Sequence, residues 1–152
     1  MSGPKAHEWI AGMAPYVPGK SAVAGVKKPV KLSSNECAFG PSPKAIEAVA
    51  SAAAGVLRYP EADSGTLRRA IADVHGLDVE RLICGAGSDD ILTLLIHAYA
   101  GPGDEVIYSQ YGFMVYPVQT DAVGATGIAV PNKNWAADVD GILDAVSADT
   151  KL

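Results

Sequence analysis

The sequence predicts an α/β protein built on a mostly parallel sheet with flanking helices. Two observations carry that expectation. From Arg81 onward, short apolar runs alternate with helical patterns in the order β-α-β-α-β-α, and the connections are brief. At the first junction, RLICGAGSDDILTLL (81–95), a strand-like run breaks at Gly85-Ala86-Gly87 and a helix follows from Ser88. Ligands of such sheets bind beyond the carboxyl ends of the strands. Gly85–Asp89 and Ser109–Gly112 both follow strands, so they fall on one rim and can share a ligand.

Composition bounds the function. At 152 residues the chain is nominally one domain, long enough to bury a core. With 49% hydrophobic and 19% charged residues it reads as a globular soluble chain. The net charge is −5 and no basic cluster exceeds the pairs Lys27-Lys28 and Arg68-Arg69, which argues against nucleic acid as a partner. Cys37 and Cys84 lie far apart without metal-ligand spacing, as in a reducing compartment. The longest apolar run, Ile91 to Ala100, carries Thr93 and His97 and is too short for a bilayer. The N-terminus MSGPKAHEWIAG lacks a signal-peptide apolar core. The expectation is a cytoplasmic protein with no membrane partner.

In chain order, residues 1 to about 20 look irregular, broken by Pro4, Pro15, Pro18 and Gly19, with Trp9, Ile10 and Met13 available for packing. Lys28-Pro-Val-Lys-Leu32 suits a short edge strand. Ser33 to Pro43 is turn chemistry anchored on Phe39. Ser42-Pro43 opens a helix over 44–54, and Gly55 suits a left-handed stop. Arg58–Glu61 is extended, because Pro60 excludes the helical region for Tyr59. Asp63 or Ser64 caps a helix whose Leu67, Ala70, Ile71 and Val74 share a face, and Gly76 ends it.

The helix from about Ser88 to Ala100, capped by Ser88, is apolar nearly all round and is expected to be buried on more than one side. Glu105–Tyr108 and Gly127–Val130 read as strands. Gly112 to Val123 between them is helical, with Pro117 kinking or confining it. Val139, Ile142, Leu143 and Val146 mark a last helix face, and Lys151-Leu152 begins a further strand.

The glycine turn at 85–87 has two readings. It is an ordinary strand-to-helix connection, or its outward N–H groups hold a phosphate at the helix start. Asp89 and Asp90 suit the helix dipole, but they oppose an anion unless their side chains turn away. Tyr108 and Tyr111 either fill a core or offer a flat ring to a ligand. His75 and His97 read as structural. The sequence shows no Ser/His/Asp arrangement, metal-ligand cluster or G-x-G-x-x-G.

Together these segments resemble the N-terminal part of the histidinol-phosphate aminotransferases, within the pyridoxal-phosphate enzymes of fold type I. The matching stretches are APYVPGK (14–20), KLSSNECAFGPSPKAIEA (31–48), RYPE (58–61), LICGAGSDDILTLL (82–95), AYAGPGDEVIYSQYGF (98–113) and the helix near Val139–Val146. They occur in family order and spacing and cover essentially the whole chain.

The resemblance implies the incomplete large domain of an aspartate-aminotransferase-like fold. Residues 1–34 form an irregular N-terminal arm and edge segment, and residues 35–152 form the first part of the cofactor-binding large domain. It implies pyridoxal 5′-phosphate as cofactor, with Gly87, Ser88 and Asp89 at its phosphate and Tyr111 stacked on its ring. Tyr59 resembles the tyrosine that reaches the phosphate from the other subunit of a homodimer. Tyr16 and Asn35 match loop positions that close over the amino-acid substrate. The implied activity is amino transfer between histidinol phosphate and 2-oxoglutarate in histidine biosynthesis. A non-catalytic cofactor-binding or dimerisation module derived from that family is the alternative.

At 36–39 the chain reads Glu-Cys-Ala-Phe where the family commonly has Glu-Asn-Pro-Phe. It also stops short of the family's Asn-Pro-Asn-Asn-Pro-Thr-Gly segment. None of its eight lysines stands in the context of the family's Schiff-base lysine, so no catalytic residue is assigned and the chain is expected to be inactive alone. The strand at 82–84 and those at 106–108 and 128–130 belong to opposite margins of the family's sheet. The expectation is a chain that folds poorly or re-pairs its strands and exposes sheet edges.

Overall fold

The structure is a computed structural model and describes residues 3–13, 24–27, 30, 37 and 39–152. In chain order its elements are α1 (Glu8–Ala11), α2 (Pro43–Ala52), a 3-10 turn (Ala53–Gly55), α3 (Gly65–His75), a second 3-10 turn (Val79–Arg81), α4 (Ser88–Tyr99), β1 (Glu105–Ser109), α5 (Val115–Ala122), β2 (Thr126–Val130) and α6 (Val139–Asp144). Contacts divide the chain into two units. One joins Met1–Tyr16 to Cys84–Leu152, and the other is Val17–Ile83. The expected edge strand at 28–32 lies outside the described residues, except for Val30, which is in no regular element.

In the Val17–Ile83 unit, α2 starts as expected. Ser42 Oγ accepts the Ala45 N–H at 3.2 Å and Pro43 takes the first helical position. The helix does not stop at a left-handed Gly55. It tightens into the 3-10 turn that contains Gly55, whose φ is not positive. Phe39 anchors nothing here, being 98% exposed.

The second helix of this unit, α3, is held at its start from outside the cap position. Ser64 is itself left-handed (φ 51°) and makes no side-chain cap. Asp63 Oδ1 accepts from the Gly65 N–H at 3.1 Å instead. Glu61 accepts from the Thr66 N–H at 2.7 Å and from the Thr66 hydroxyl at 2.6 Å. Gly76 ends the helix in the left-handed region (φ 65°), where only glycine is unstrained. Leu67 and Val74 on the expected apolar stripe remain exposed. The second 3-10 turn lies against α3, where Arg68 donates to the Val79 carbonyl at 2.6 Å.

The Thr66 hydroxyl and then the Thr66 N–H hold the Glu61 carboxyl below its ordinary value. A lowered folded-state value stabilises above the unfolded value, about 4.3 for glutamate, and that contribution is lost as the pH falls through the folded value. Thr66→Val, which keeps only the backbone donor, is expected to raise the Glu61 titration midpoint. Carboxyl-carbon NMR checks this, and an unchanged midpoint would place the cause elsewhere.

The other unit carries the sheet. β1 and β2 pair in parallel from Glu105↔Thr126 to Ser109↔Val130. On the opposite side of β1, Lys151 donates to the Glu105 carbonyl and Ile107 to the Leu152 carbonyl, both at 2.9 Å, so the further strand does begin there. Side chains fasten this edge: Ser147 and Thr150 hydroxyls both donate to Glu105 Oε2. The Tyr108 ring lies over Gly127, where a Cβ would stand 2.5 Å from the phenol oxygen. Burial and then the charge of Asp121 push the Tyr108 phenol up from its ordinary value.

Ile96, Val106, Val115 and Val130 form the buried apolar core of this unit. The helix between the strands is confined rather than kinked: α5 begins at Val115, which places Pro117 in its first turn, where no N–H is needed. The N-terminal segment is not wholly irregular. Its one-turn α1 packs on α5, the Trp9 indole N–H donating to the Ala122 carbonyl at 3.2 Å while its ring lies against Gly124.

Two expectations are corrected, one where the chain passes from one unit to the other and one in α4. Leu82–Cys84 pairs with no strand among the described residues; the backbone is extended at Leu82 (φ −107°, ψ 134°), but no ladder partner is present. α4 is buried along one line only, at Ile96, while Leu94 and Leu95 are 48% and 41% exposed. The stripe that carries Ile96 itself borders an open cavity of about 440 Å³, lined by Leu92, Leu95, Ile96, Val106, Ile107 and Leu152 among others. An all-round apolar helix needs neighbours on two sides, and here they stand on one.

Candidate functional site

The loops that follow Cys84 and β1 lie in the same unit, at the start of α4 and at the carboxyl end of the sheet. The helix start is built by glycine. Gly87 is the N-cap residue, at φ 93° and ψ 178°, a conformation essentially restricted to glycine. Ser88 is therefore the first helical residue rather than the cap, and it makes no capping hydrogen bond. The first intrahelical bond runs from the Ile91 N–H to the Gly87 carbonyl at 3.4 Å. The N–H groups of Ser88, Asp89 and Asp90 have no acceptor among the described residues.

One of the two carboxylates is engaged away from these donors. Asp90 turns back and accepts the Ala86 N–H at 2.9 Å. A Cβ on Gly85 would stand 2.6 Å from that carboxylate and 2.9 Å from the Ile91 side chain, so the fold-back requires glycine there. Asp89 uses its carbonyl to accept the Thr93 hydroxyl at 2.9 Å. His97 Nδ1 lies 2.8 Å from the Thr93 carbonyl, and since a carbonyl only accepts, that nitrogen carries the hydrogen. This is the structural role expected of His97.

The second loop is laced to the end of β2. Gln110 N–H donates to the Val130 carbonyl at 2.8 Å, Tyr111 N–H to Asn132 Oδ1 at 3.2 Å, and Gly112 N–H to the Ser109 carbonyl at 2.8 Å. Gly112 permits this approach: a Cβ there would lie 2.9 Å from the Ser109 carbonyl and 3.1 Å from the Tyr116 ring. Tyr111 is 69% exposed, so it is not a core aromatic, and the Trp135 indole lies beside it with ring centroids 6.2 Å apart. A cavity of about 310 Å³, lined by Asp89, Phe113, Met114, Val115, Val118 and Gln119, connects the start of α4 with the start of α5.

Gly87, Ser88, Asp89 and Tyr111 thus belong to one unit, and of the four Asp89 lines this cavity. Tyr59 belongs to the other unit and is fully exposed. Tyr16 and Asn35 lie outside the described residues. Asn132 and Trp135 were not legible as site residues: PNKNW reads only as a polar loop between a strand and a helix. Among the described residues no cluster of metal-ligating side chains occurs, and no helix is long and apolar enough to cross a membrane.

The residues present fit an anionic, flat ligand: free N–H donors at a helix start suit a phosphate, and an exposed tyrosine ring in the same unit suits a planar ring. No protein-family model matches the chain. Among curated proteins it is 55% identical over 154 residues to the histidinol-phosphate aminotransferase of Rhodopseudomonas palustris strain HaA2, covering 100% of this chain and 42% of that protein. It is 52% identical to the histidinol-phosphate aminotransferase of Ruegeria sp. strain TM1040, covering 94% of this chain and 40% of that protein. A solved histidinol-phosphate aminotransferase from Sinorhizobium meliloti, in complex with pyridoxal-5′-phosphate, has a TM-score of 0.72 at 26% identity, covering 76% of this chain and 31% of that one. The chain thus spans about two fifths of the length of the curated relatives it matches. Over that span it is homologous to the N-terminal portion of the histidinol-phosphate aminotransferases and shares their fold-type I architecture.

Proposed function

We propose that this chain carries the phosphate turn and stacking ring of a pyridoxal-phosphate-dependent aminotransferase that moves an amino group between histidinol phosphate and 2-oxoglutarate in histidine biosynthesis. The observation that carries the reading is the open set of N–H donors at Ser88, Asp89 and Asp90 in the same unit as Tyr111. When bound, pyridoxal 5′-phosphate supplies the electron sink for the carbon that bears the amino group.

The chain's own residues bind and orient. The Gly87 turn aims the N–H groups of Ser88 and Asp89 at the phosphate, and the positive end of α4 adds to their field. The Asp90 carboxylate is occupied by Ala86, which removes one negative charge from the path of the phosphate. Tyr111 offers its face to the pyridine ring. Tyr59 reaches the phosphate across a homodimer, while Tyr16 and Asn35 close over the amino-acid substrate. Residues 1–34 serve as the arm and 35–152 as the first part of the large domain, working in the cytoplasm.

The test joins this chain to the remaining part of the Rhodopseudomonas palustris relative and measures amino transfer. The joined protein is expected to transfer amino groups between histidinol phosphate and 2-oxoglutarate. The 152-residue chain alone is expected to bind pyridoxal 5′-phosphate, with inorganic phosphate competing and the free-aldehyde absorption retained. A joined protein that folds and binds cofactor but prefers aromatic amino acids to histidinol phosphate would overturn the substrate assignment. A chain that ignores the cofactor at millimolar concentration would overturn the assigned turn.

A further inference from the structure

The loop after β2 carries a feature that the reading above leaves unused. Trp135 is 92% exposed, and its indole stands beside the Tyr111 ring with centroids 6.2 Å apart and an interplanar angle of 28°. Its backbone is left-handed (φ 64°), as is that of Asn134 (φ 52°). These two residues form the centre of a tight turn closed by Lys133 N–H to the Ala136 carbonyl and Ala136 N–H to the Lys133 carbonyl, each at 3.0 Å. Two-residue turns with both central residues left-handed favour Asn-Gly, and a bulky residue at the second position is an outlier. Strain of this kind persists where the surroundings hold it and gathers at functional sites. Here the indole does not gain by burial; its visible partner is Tyr111.

We propose that Trp135, together with Asn132, is a positioning device for Tyr111. Asn132 fixes the backbone by accepting the Tyr111 N–H at 3.2 Å, and Trp135 fixes the ring from one side. A ring already ordered by one neighbour loses less freedom on meeting a second flat partner, and this pre-organisation raises affinity without a new contact to the ligand. Trp135 itself is not a catalytic residue. The proposal rests on the reading of Tyr111 as the ring that stacks on the cofactor.

The test uses the full 152-residue chain, pyridoxal 5′-phosphate as probe, and the variants Trp135→Gly, Trp135→Phe and Tyr111→Ala. Glycine suits the left-handed position, so Trp135→Gly is expected to keep or raise the thermal midpoint while removing the indole. In the unmodified chain the indole ring current is expected to displace the Tyr111 ring resonances. Trp135→Gly is expected to abolish that displacement and Trp135→Phe to keep part of it. Cofactor affinity is expected to fall about three- to tenfold in Trp135→Gly, with Trp135→Phe recovering most of the loss.

Tyr111 resonances indifferent to Trp135→Gly would overturn the proposal. So would unchanged cofactor affinity in Trp135→Gly beside a clear loss in Tyr111→Ala. If Tyr111→Ala binds the cofactor as the unmodified chain does, the stacking role of Tyr111 fails instead. The positioning of its ring by Trp135 is then decided by the resonances alone.

Discussion

Gly87→Ala is expected to weaken pyridoxal 5′-phosphate binding by at least about tenfold while leaving the sheet intact. Gly87 sits at φ 93° and ψ 178°, and forcing a side chain into this region costs about 1–3 kcal/mol. The turn relieves that cost by rotating the peptide that leads into α4. The N–H groups of Ser88 and Asp89 take their direction from that peptide, so their convergence is lost while the rest of α4 is preserved. Charge-assisted hydrogen bonds from backbone N–H to a phosphate are worth about 1.5–3 kcal/mol each, so misdirecting one of them suffices for a tenfold effect. Titration of the chain with the cofactor, beside far-UV circular dichroism, checks both halves of the expectation. Equal affinities in Gly87→Ala and the unmodified chain would mean that the phosphate is not held at this turn. Gly85→Ala is the useful contrast: it crowds the Asp90 carboxylate rather than the backbone, at 2.6 Å. Its effect comes through release of the Ala86–Asp90 hydrogen bond.

How much of this was legible in the sequence depends on the range of the forces involved. Elements set by local chemistry were read correctly. Ser42-Pro43 starts α2, Gly76 ends α3, and the alternation from Arg81 places α4, β1, α5 and β2 within a few residues of their observed bounds. Each rests on a cap, a glycine or a periodicity visible within a dozen residues. The failures needed information from elsewhere in the chain. Leu82–Cys84 has the composition of a strand, but a strand exists only with a partner. Gly55 could end a helix in the left-handed region, yet the chain tightened by a 3-10 turn instead. Ser88 looks like a cap, but Gly87 reaches a conformation closed to serine and takes the position, which leaves the helix start without a side-chain cap.

The site follows the same division. Gly87, Ser88, Asp89 and Tyr111 stand out in the sequence as candidates because a glycine turn and a post-strand tyrosine are local signals, sharpened by the family resemblance. Asn132 and Trp135 do not, because their meaning lies in a contact with Tyr111 across 21 and 24 residues of chain. A left-handed Asn-Trp pair also leaves no glycine in the sequence to mark the turn.

The largest effect on stability is expected at Ile96, and it bears on the site through α4. Ile96 is 4% exposed and shares the core of its unit with Val106, Val115 and Val130. Truncating a buried isoleucine costs about 2–5 kcal/mol, which is a large part of the 5–15 kcal/mol, roughly, that a whole domain commands. Leu94, on the same helix, is 48% exposed, and Leu94→Ala is expected to cost about 1 kcal/mol, since about half of its surface stays in water on folding. Urea unfolding of the two variants separates a packed α4 from one that merely rests on the sheet. Equal shifts in midpoint would mean that α4 has no preferred face, and the N–H groups at its start would then have no fixed aim. A loss confined to Ile96→Ala, accompanied by weaker cofactor binding at urea concentrations below the transition, ties the phosphate turn to the core. The turn supplies the donors, Ile96 seats the helix that carries them, and the valines of β1, α5 and β2 fix where that helix points.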